Sequence, residues 1–221
     1  MAYTRLQLYN DALLMCGERA VASLTVNEEA RRLLDQVWTN NGVNGCLEEA
    51  QWMFAMRTVR VDYDPGIEPD FGYAHAFDKP TDWILTSALC SDDFFQQPLL
   101  RYTDESSYWF SDLETIYVRY VSNDSSYGGD MSKWPRSFCE FVAAHFASKI
   151  IMKVSNDKDR IEMFLRPDAP IKGVRGQALM HAKSRCAMGG PTQFSARGNW
   201  SQSRIRGVTR RDGGNTSGDL Y

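Results

Sequence analysis

Residues Trp134 to Val154, WPRSFCEFVAAHFASKIIMKV, carry the longest and most apolar helical pattern in the chain and constrain what the rest can fold into. Phe138, Phe141, Val142, Phe146, Ile150 and Ile151 recur at spacings of three and four, the repeat of a helix face. Ala143, Ala144 and Ala147 between them let neighbouring elements approach closely, so this helix must be covered around most of its girth. Pro135 suits the first turn, where a missing N–H is harmless, and Ser132 just upstream is placed to cap. His145, Lys149 and Lys153, spaced by four, form its one polar stripe and are expected to face solvent, a lumen or a partner subunit. The pattern continues or restarts through Asp157 to Leu165, and Pro167 and Pro170 end it.

The start of the chain reads as helices that pack against this post. Thr4 with Gln7 is a capping-box signature, and Leu6, Leu8, Tyr9, Leu13 and Cys16 make an apolar face before Gly17 ends the helix. In the connector GERAVASLTVN, Val21 and Leu24 are expected to plug into the core. Asn27, followed by Glu28 and Glu29, opens a second helix carrying Leu33, Leu34, Val37 and Trp38. Asn40, Asn41, Gly42 and Gly45 weaken it, which leaves open whether it kinks or stops and restarts through Cys46 to Ala50.

After Trp52 the period changes from helical to alternating. Val59, Val61 and Tyr63 alternate with Arg60 and Asp62 as in a half-buried strand, and Asp64, Pro65 and Gly66 form a turn. Further short strands are expected near Phe71 to Phe77, Trp83 to Cys90, Leu99 to Thr103, Ser107 to Phe110 and Thr115 to Val121. The last has Ile116, Val118 and Tyr120 on one face and Tyr117, Arg119 and Val121 on the other. SNDSSYGGD is the polar link back to helix, and Val174 to Met188 is the final helix, with Leu179, Ala182 and Cys186 as its apolar face.

The expected fold is therefore α+β: a helical bundle of N- and C-terminal helices, an inserted small antiparallel β-domain and an extended C-terminal tail. Its parts are an N-terminal helical half over residues 1–56, a β-rich insertion over 57–121, a second helical half over 122–190 that packs with the first, and a basic tail over 191–221. Five arginines against two aspartates give that tail a net +3, while Phe194, Trp200, Ile205 and Leu220 are isolated apolar residues. Alone it cannot bury enough surface to order itself, so it is expected to take its shape on a partner.

Composition excludes several classes. A net charge of −3 disfavours a nucleic-acid-binding module made of the whole chain and confines any basic function to a local patch. The five cysteines are scattered without a Cys-x-x-Cys pair, arguing for neither a disulfide framework nor zinc. The first residues lack the pattern of a signal peptide, and no stretch reaches membrane-spanning length, so synthesis in the cytosol with no membrane contact is expected.

Chemistry is sparse. His75, His145 and His181 sit in a strand, a long helix and a terminal helix, settings that read as ordinary histidines. Gly128-Gly129 lacks the Lys-Ser/Thr of a phosphate loop. Asp92-Asp93, Glu48-Glu49 and Asp104-Glu105 are adjacent acids whose side chains diverge, so none is a ready acid/base couple. Phe94, Phe95, Tyr102, Tyr108, Trp109 and Phe110 suit a small sandwich core better than a stacking surface. No catalytic, cofactor or metal residues are assigned; the tail arginines are placed to meet phosphate or acidic side chains.

Seven segments, in order, carry a resemblance: LYNDALLMCGERAVASL, LLDQVW, QWMFAMR, YAHAFDKPTDWIL, TIYVRYVSN, KWPRSFCEFVAAHFASKI and GNWSQSRIRG. Together they resemble the head-to-tail adaptor proteins of tailed bacteriophages, the tail tubular protein A family of short-tailed phages. The chain departs from that pattern in the Asn- and Gly-broken approach to QWMFA and in the glycine-rich start of its last helix. The resemblance implies a helical bundle with a β-rich insertion, assembled as a dodecameric ring in the neck of the virion. One side would dock on the portal protein and the other would receive the tail nozzle or tail tube protein, with a tail fibre as a further candidate partner. DNA would pass through the lumen with non-specific contacts only, and no cofactor would be used. Within this expectation Phe194, Trp200, Arg204, Ile205 and Arg206 are the portal-binding residues, large apolar groups and arginines being the usual anchors. The competing class is a glycan hydrolase using Asp92, Asp93, Asp104 and the aromatics of the insertion.

Overall fold

At the centre of the computed structural model, which describes residues 3–70, 72–155, 157–165 and 173–190, lies α4 (Arg136–Val154). Its Phe138, Phe141, Val142, Phe146, Ile150 and Ile151 and the three alanines between them are no more than 2 % exposed. Each large side chain so buried contributes roughly 1.5–3 kcal/mol. Around it pack α1 (Arg5–Cys16), α2 (Glu29–Thr39), α3 (Gly42–Leu47), α5 (Lys158–Leu165) and α6 (Val174–Met188). The indole of Trp52 wedges against Phe138 and Phe141 with ring centroids 4.8 and 6.0 Å away, and its N–H donates to the Cys46 carbonyl at 3.0 Å.

Helix ends follow local rules in some places and tertiary demands in others. Thr4 and Gln7 form the expected capping box, and Gly17 closes α1 in the left-handed region at φ 77°. Asn10 clamps the connector in both directions, its side chain bonding the backbone N–H and C=O of Val21 and seating that residue in the core. By contrast α2 begins one residue later than its acids and Asn27 predicted, with Glu28 at the cap position and no side-chain cap. Asn41, at φ 59°, settles the open question downstream: the chain stops and restarts as α3. Ser132 does not cap α4. It lies in a single 3-10 turn, Met131–Lys133, bonded to Asp130, and Pro135 with φ −59° occupies the cap position.

The β-rich segment forms two antiparallel sheets. One has the order β1-β6-β3, from β1 (Met56–Asp62), β6 (Thr115–Ser122) and β3 (Trp83–Cys90). The other has the order β2-β5-β4, from β2 (His75–Asp78), β5 (Tyr108–Ser111) and β4 (Thr103–Asp104). Two strands are shorter than expected from the sequence. Of the expected Phe71 to Phe77, residue 71 lies outside the described residues and pairing starts at His75; the Leu99 to Thr103 strand is replaced by an isolated Cys90–Pro98 bridge and the two-residue β4.

Two cores result, and β6 serves both. Ile116, Val118 and Tyr120 pack with Phe77, Leu89 and Trp109 between the sheets, while Val121 belongs to the helical core with Leu47, Ala55 and α4. The helices and both sheets belong to one unit, Met1–Gly189. No helix among the described residues is long and apolar enough to cross a membrane.

Candidate functional site

The five residues expected to meet a portal, Phe194, Trp200, Arg204, Ile205 and Arg206, lie outside the described residues. Two of the acids considered for glycan chemistry, Asp92 and Asp104, are engaged in structural bonds. Asp92 accepts from the backbone N–H groups of Gln96 and Gln97 at 3.0 and 2.8 Å, and these bonds, the one from Gln96 first, hold its carboxyl below the usual range, the opposite of what a proton donor needs. Asp93 is exposed, and Asp104 is ion-paired with Lys79. Among the described residues no three of His, Cys, Asp and Glu come together as metal ligands.

The aromatic segment divides between core and surface. Trp109 is fully buried, whereas Phe94 is 77 % exposed at the tip of a loop where Phe95 takes φ 57° beneath the Arg119 guanidinium. Tyr108 and Phe110, on the outward face of β5, line an open groove of about 620 Å³ together with Tyr73, Glu68, Asp70 and Glu105.

The segment DKPTDW is a structural knot. Lys79, whose side chain is 4 % exposed, donates to Asp104 and to the Glu105 carbonyl and lies 3.7 Å from the Trp83 ring centre. Thr86 Oγ1 accepts from both indoles, Trp83 at 3.0 Å and Trp109 at 3.1 Å, and donates to Asp104 at 2.7 Å, so the network joins the two sheets. Three residues on, Asp82 accepts from Arg57 of β1 at 2.9 Å, from the Tyr120 hydroxyl of β6 at 3.1 Å and from Ser122. Burial acts to raise its carboxyl, but the bonds from Ser122 and Arg57 outweigh it and keep Asp82 below the ordinary range.

The polar stripe of α4 separates into a buried and an exposed part. His145 is 8 % exposed, because α6 crosses over it and brings Arg175 to its Nδ1, Nε donating at 3.0 Å. Arg175 also pairs with Glu49, and its guanidinium lies 5.7 Å from the Phe141 ring centre. Burial first, then the Arg175 and Lys149 charges, bring His145 down to about 4 against an ordinary 6.5. The expectation that the whole stripe faces outward therefore fails at His145, while Lys149 and Lys153 stay exposed. Arg175 was readable: it precedes Leu179, Ala182 and Cys186 at spacings of four, three and four, a cation set in an apolar seam.

His145, Lys149 and Lys153 share a groove of about 540 Å³ with Ile150 of α4, with Leu33, Gln36, Val37 and Asn40 of α2, and with the turn into α3. Gly42 makes that turn possible, since a Cβ there would stand 2.7 Å from the Val37 carbonyl and 3.2 Å from the Phe146 ring.

No protein-family model matches this chain, and neither does any curated protein with which it was compared.

Proposed function

We propose that the protein is a structural component of a bacteriophage virion, a ring-forming adaptor between the portal protein and the tail nozzle, with DNA passing through its lumen. One observation carries this reading. Six of the seven segments that resemble the head-to-tail adaptors form the framework of the two cores, and they assemble into a helical bundle with a β-rich insertion, the architecture the resemblance implies. LYNDALLMCGERAVASL is α1 from Leu8 onward with its closing Gly17 and the Asn10 clamp, TIYVRYVSN holds the strand shared by both cores, and KWPRSFCEFVAAHFASKI is most of the central helix with its approach.

The outer surfaces suit assembly. Leu14, Met152, Met163, Met180 and Met188 are more than half exposed on the helices, and Phe94 and Leu100 stand out from the β-rich part. Solitary apolar residues are common on any surface, but adaptable methionines on several helices fit a protomer that packs side by side with copies of itself. Within this reading Phe194, Trp200, Arg204, Ile205 and Arg206 dock on the portal.

The test is electron microscopy of the full-length protein mixed with the portal of the same phage. Discrete rings on the portal vertex are expected. A chain ending at Gly190 is expected to keep its circular dichroism spectrum and lose attachment. A monodisperse monomer that ignores portals would overturn the reading, and so would purified protein that cleaves capsular or cell-wall polysaccharide.

A further inference from the structure

We propose that the groove between α2 and α4 binds an acidic, leucine-type segment of a partner protein, its carboxylates on Lys149 and Lys153 and its aliphatic side chains on Leu33 and Val37. The connector reading assigns this groove no role, and the stripe that lines it is otherwise unexplained.

Charge is the first argument. None of the described residues lining the groove is acidic, and neither Lys149 nor Lys153 enters an ion pair among the described residues. This is a local property, because the chain carries −3 overall and the groove on the β-rich part holds Glu68, Asp70 and Glu105. Lys149 and Lys153 are rooted on successive turns of α4, their backbone positions about 6 Å apart along the axis. That matches carboxylates one turn apart on a helix or two residues apart on an extended strand.

His145 adds a directed donor. Its Nδ1 accepts from Arg175, so in the neutral ring the proton resides on Nε2, the edge left to the groove it lines. Arg175 thereby sets the tautomer, as an orienting partner does for a metal-bound or catalytic histidine. The floor offers one fixed N–H donor and the rim two mobile cations.

The walls decide between protein and nucleic acid. The half-buried Leu33 and Val37 share the groove with the cations, and a sugar–phosphate backbone gains nothing by burial against aliphatic side chains. An acidic segment that also carries leucines satisfies both parts of the surface, as an amphipathic helix does in an apolar groove with a charged rim.

The experiment uses the full chain and a fluorescein-labelled peptide made only of Glu and Leu, followed by anisotropy at low and physiological salt. Binding that weakens with salt is expected, as is a shift of the His145 Nε2 proton resonance when peptide is added. Changing Lys149→Glu together with Lys153→Glu is expected to weaken binding more than tenfold, and Lys149→Gln with Lys153→Gln by less, about what loss of charge attraction without repulsion gives. Both lysines are exposed, so both double variants are expected to keep the wild-type melting curve. No binding by the wild type, equal binding of a Lys–Leu peptide, unchanged affinity in the Lys→Glu double variant, or duplex DNA displacing the peptide would each overturn the proposal.

Discussion

Nε of Arg175 stands 3.0 Å from Nδ1 of His145, across the packing of α6 on α4, and the contact makes a buried imidazole that cannot easily charge. The groups facing it are Arg175, Lys149 and Glu49; two are cations, and burial adds to their effect. Between pH 6.5 and about 4 the unfolded chain therefore binds a proton that the native ring refuses.

Stability is accordingly expected to be complete above pH 6.5 and to fall as the pH approaches about 4. One such proton is worth on the order of 3 kcal/mol over that window. Urea unfolding at a series of pH values measures it. His145→Gln keeps an acceptor for Arg175 and removes the titration, so the slope in this window is expected to flatten by one proton's share.

Asp82 is expected to be the costliest single acid to lose. Asp82→Ala leaves Arg57 and the hydroxyls of Tyr120 and Ser122 without their shared acceptor, for about 2 to 4 kcal/mol. Chemical denaturation gives the figure, and a loss under about 1 kcal/mol would show that water replaces the carboxylate freely.

Thr86→Val keeps the shape of the side chain and removes the oxygen on which both indoles and Asp104 converge. A destabilisation of about 1 to 3 kcal/mol is expected. Near-ultraviolet circular dichroism is the second measurement, because Trp83 and Trp109 are expected to lose their fixed orientation.

Gly17 and Arg160 form a pair whose costs are expected not to add. A Cβ on Gly17 would stand 1.5 Å from Nη1 of Arg160, which caps α1 by donating to the Cys16 carbonyl at 2.7 Å. Gly17→Ala pays for the left-handed backbone and for displacing that guanidinium. In an Arg160→Ala background only the backbone strain remains, about 1 kcal/mol. A double-mutant cycle that sums within about 0.3 kcal/mol would refute the coupling.

What the sequence foretold divides by the distance over which each feature is decided. The capping box at Thr4, the stop at Gly17, the final helix Val174–Met188 and the strand Trp83–Cys90 rest on neighbours within a turn or a few alternating residues, and each stands as read. The alternation of Ile116, Val118 and Tyr120 likewise names the inter-sheet core. His145 escaped because its fate depends on Arg175, thirty residues away on another helix. Lys79 and Asp82 stand in a segment whose local pattern gives them no role, and only their partners Asp104, Arg57 and Tyr120 reveal that they tie strands together. The groove escaped for the same reason: its walls come from α2 and α4, which share no local pattern.

Tyr120 and Val121 are successive residues of one strand with anchors in different hydrophobic interiors. A load applied at the sheets therefore reaches the buried helix along β6, with Met56 of β1 and Ile84 and Leu85 of β3 packed against the same helical interior. The two interiors should yield together, so that calorimetry records one melting transition for the pair.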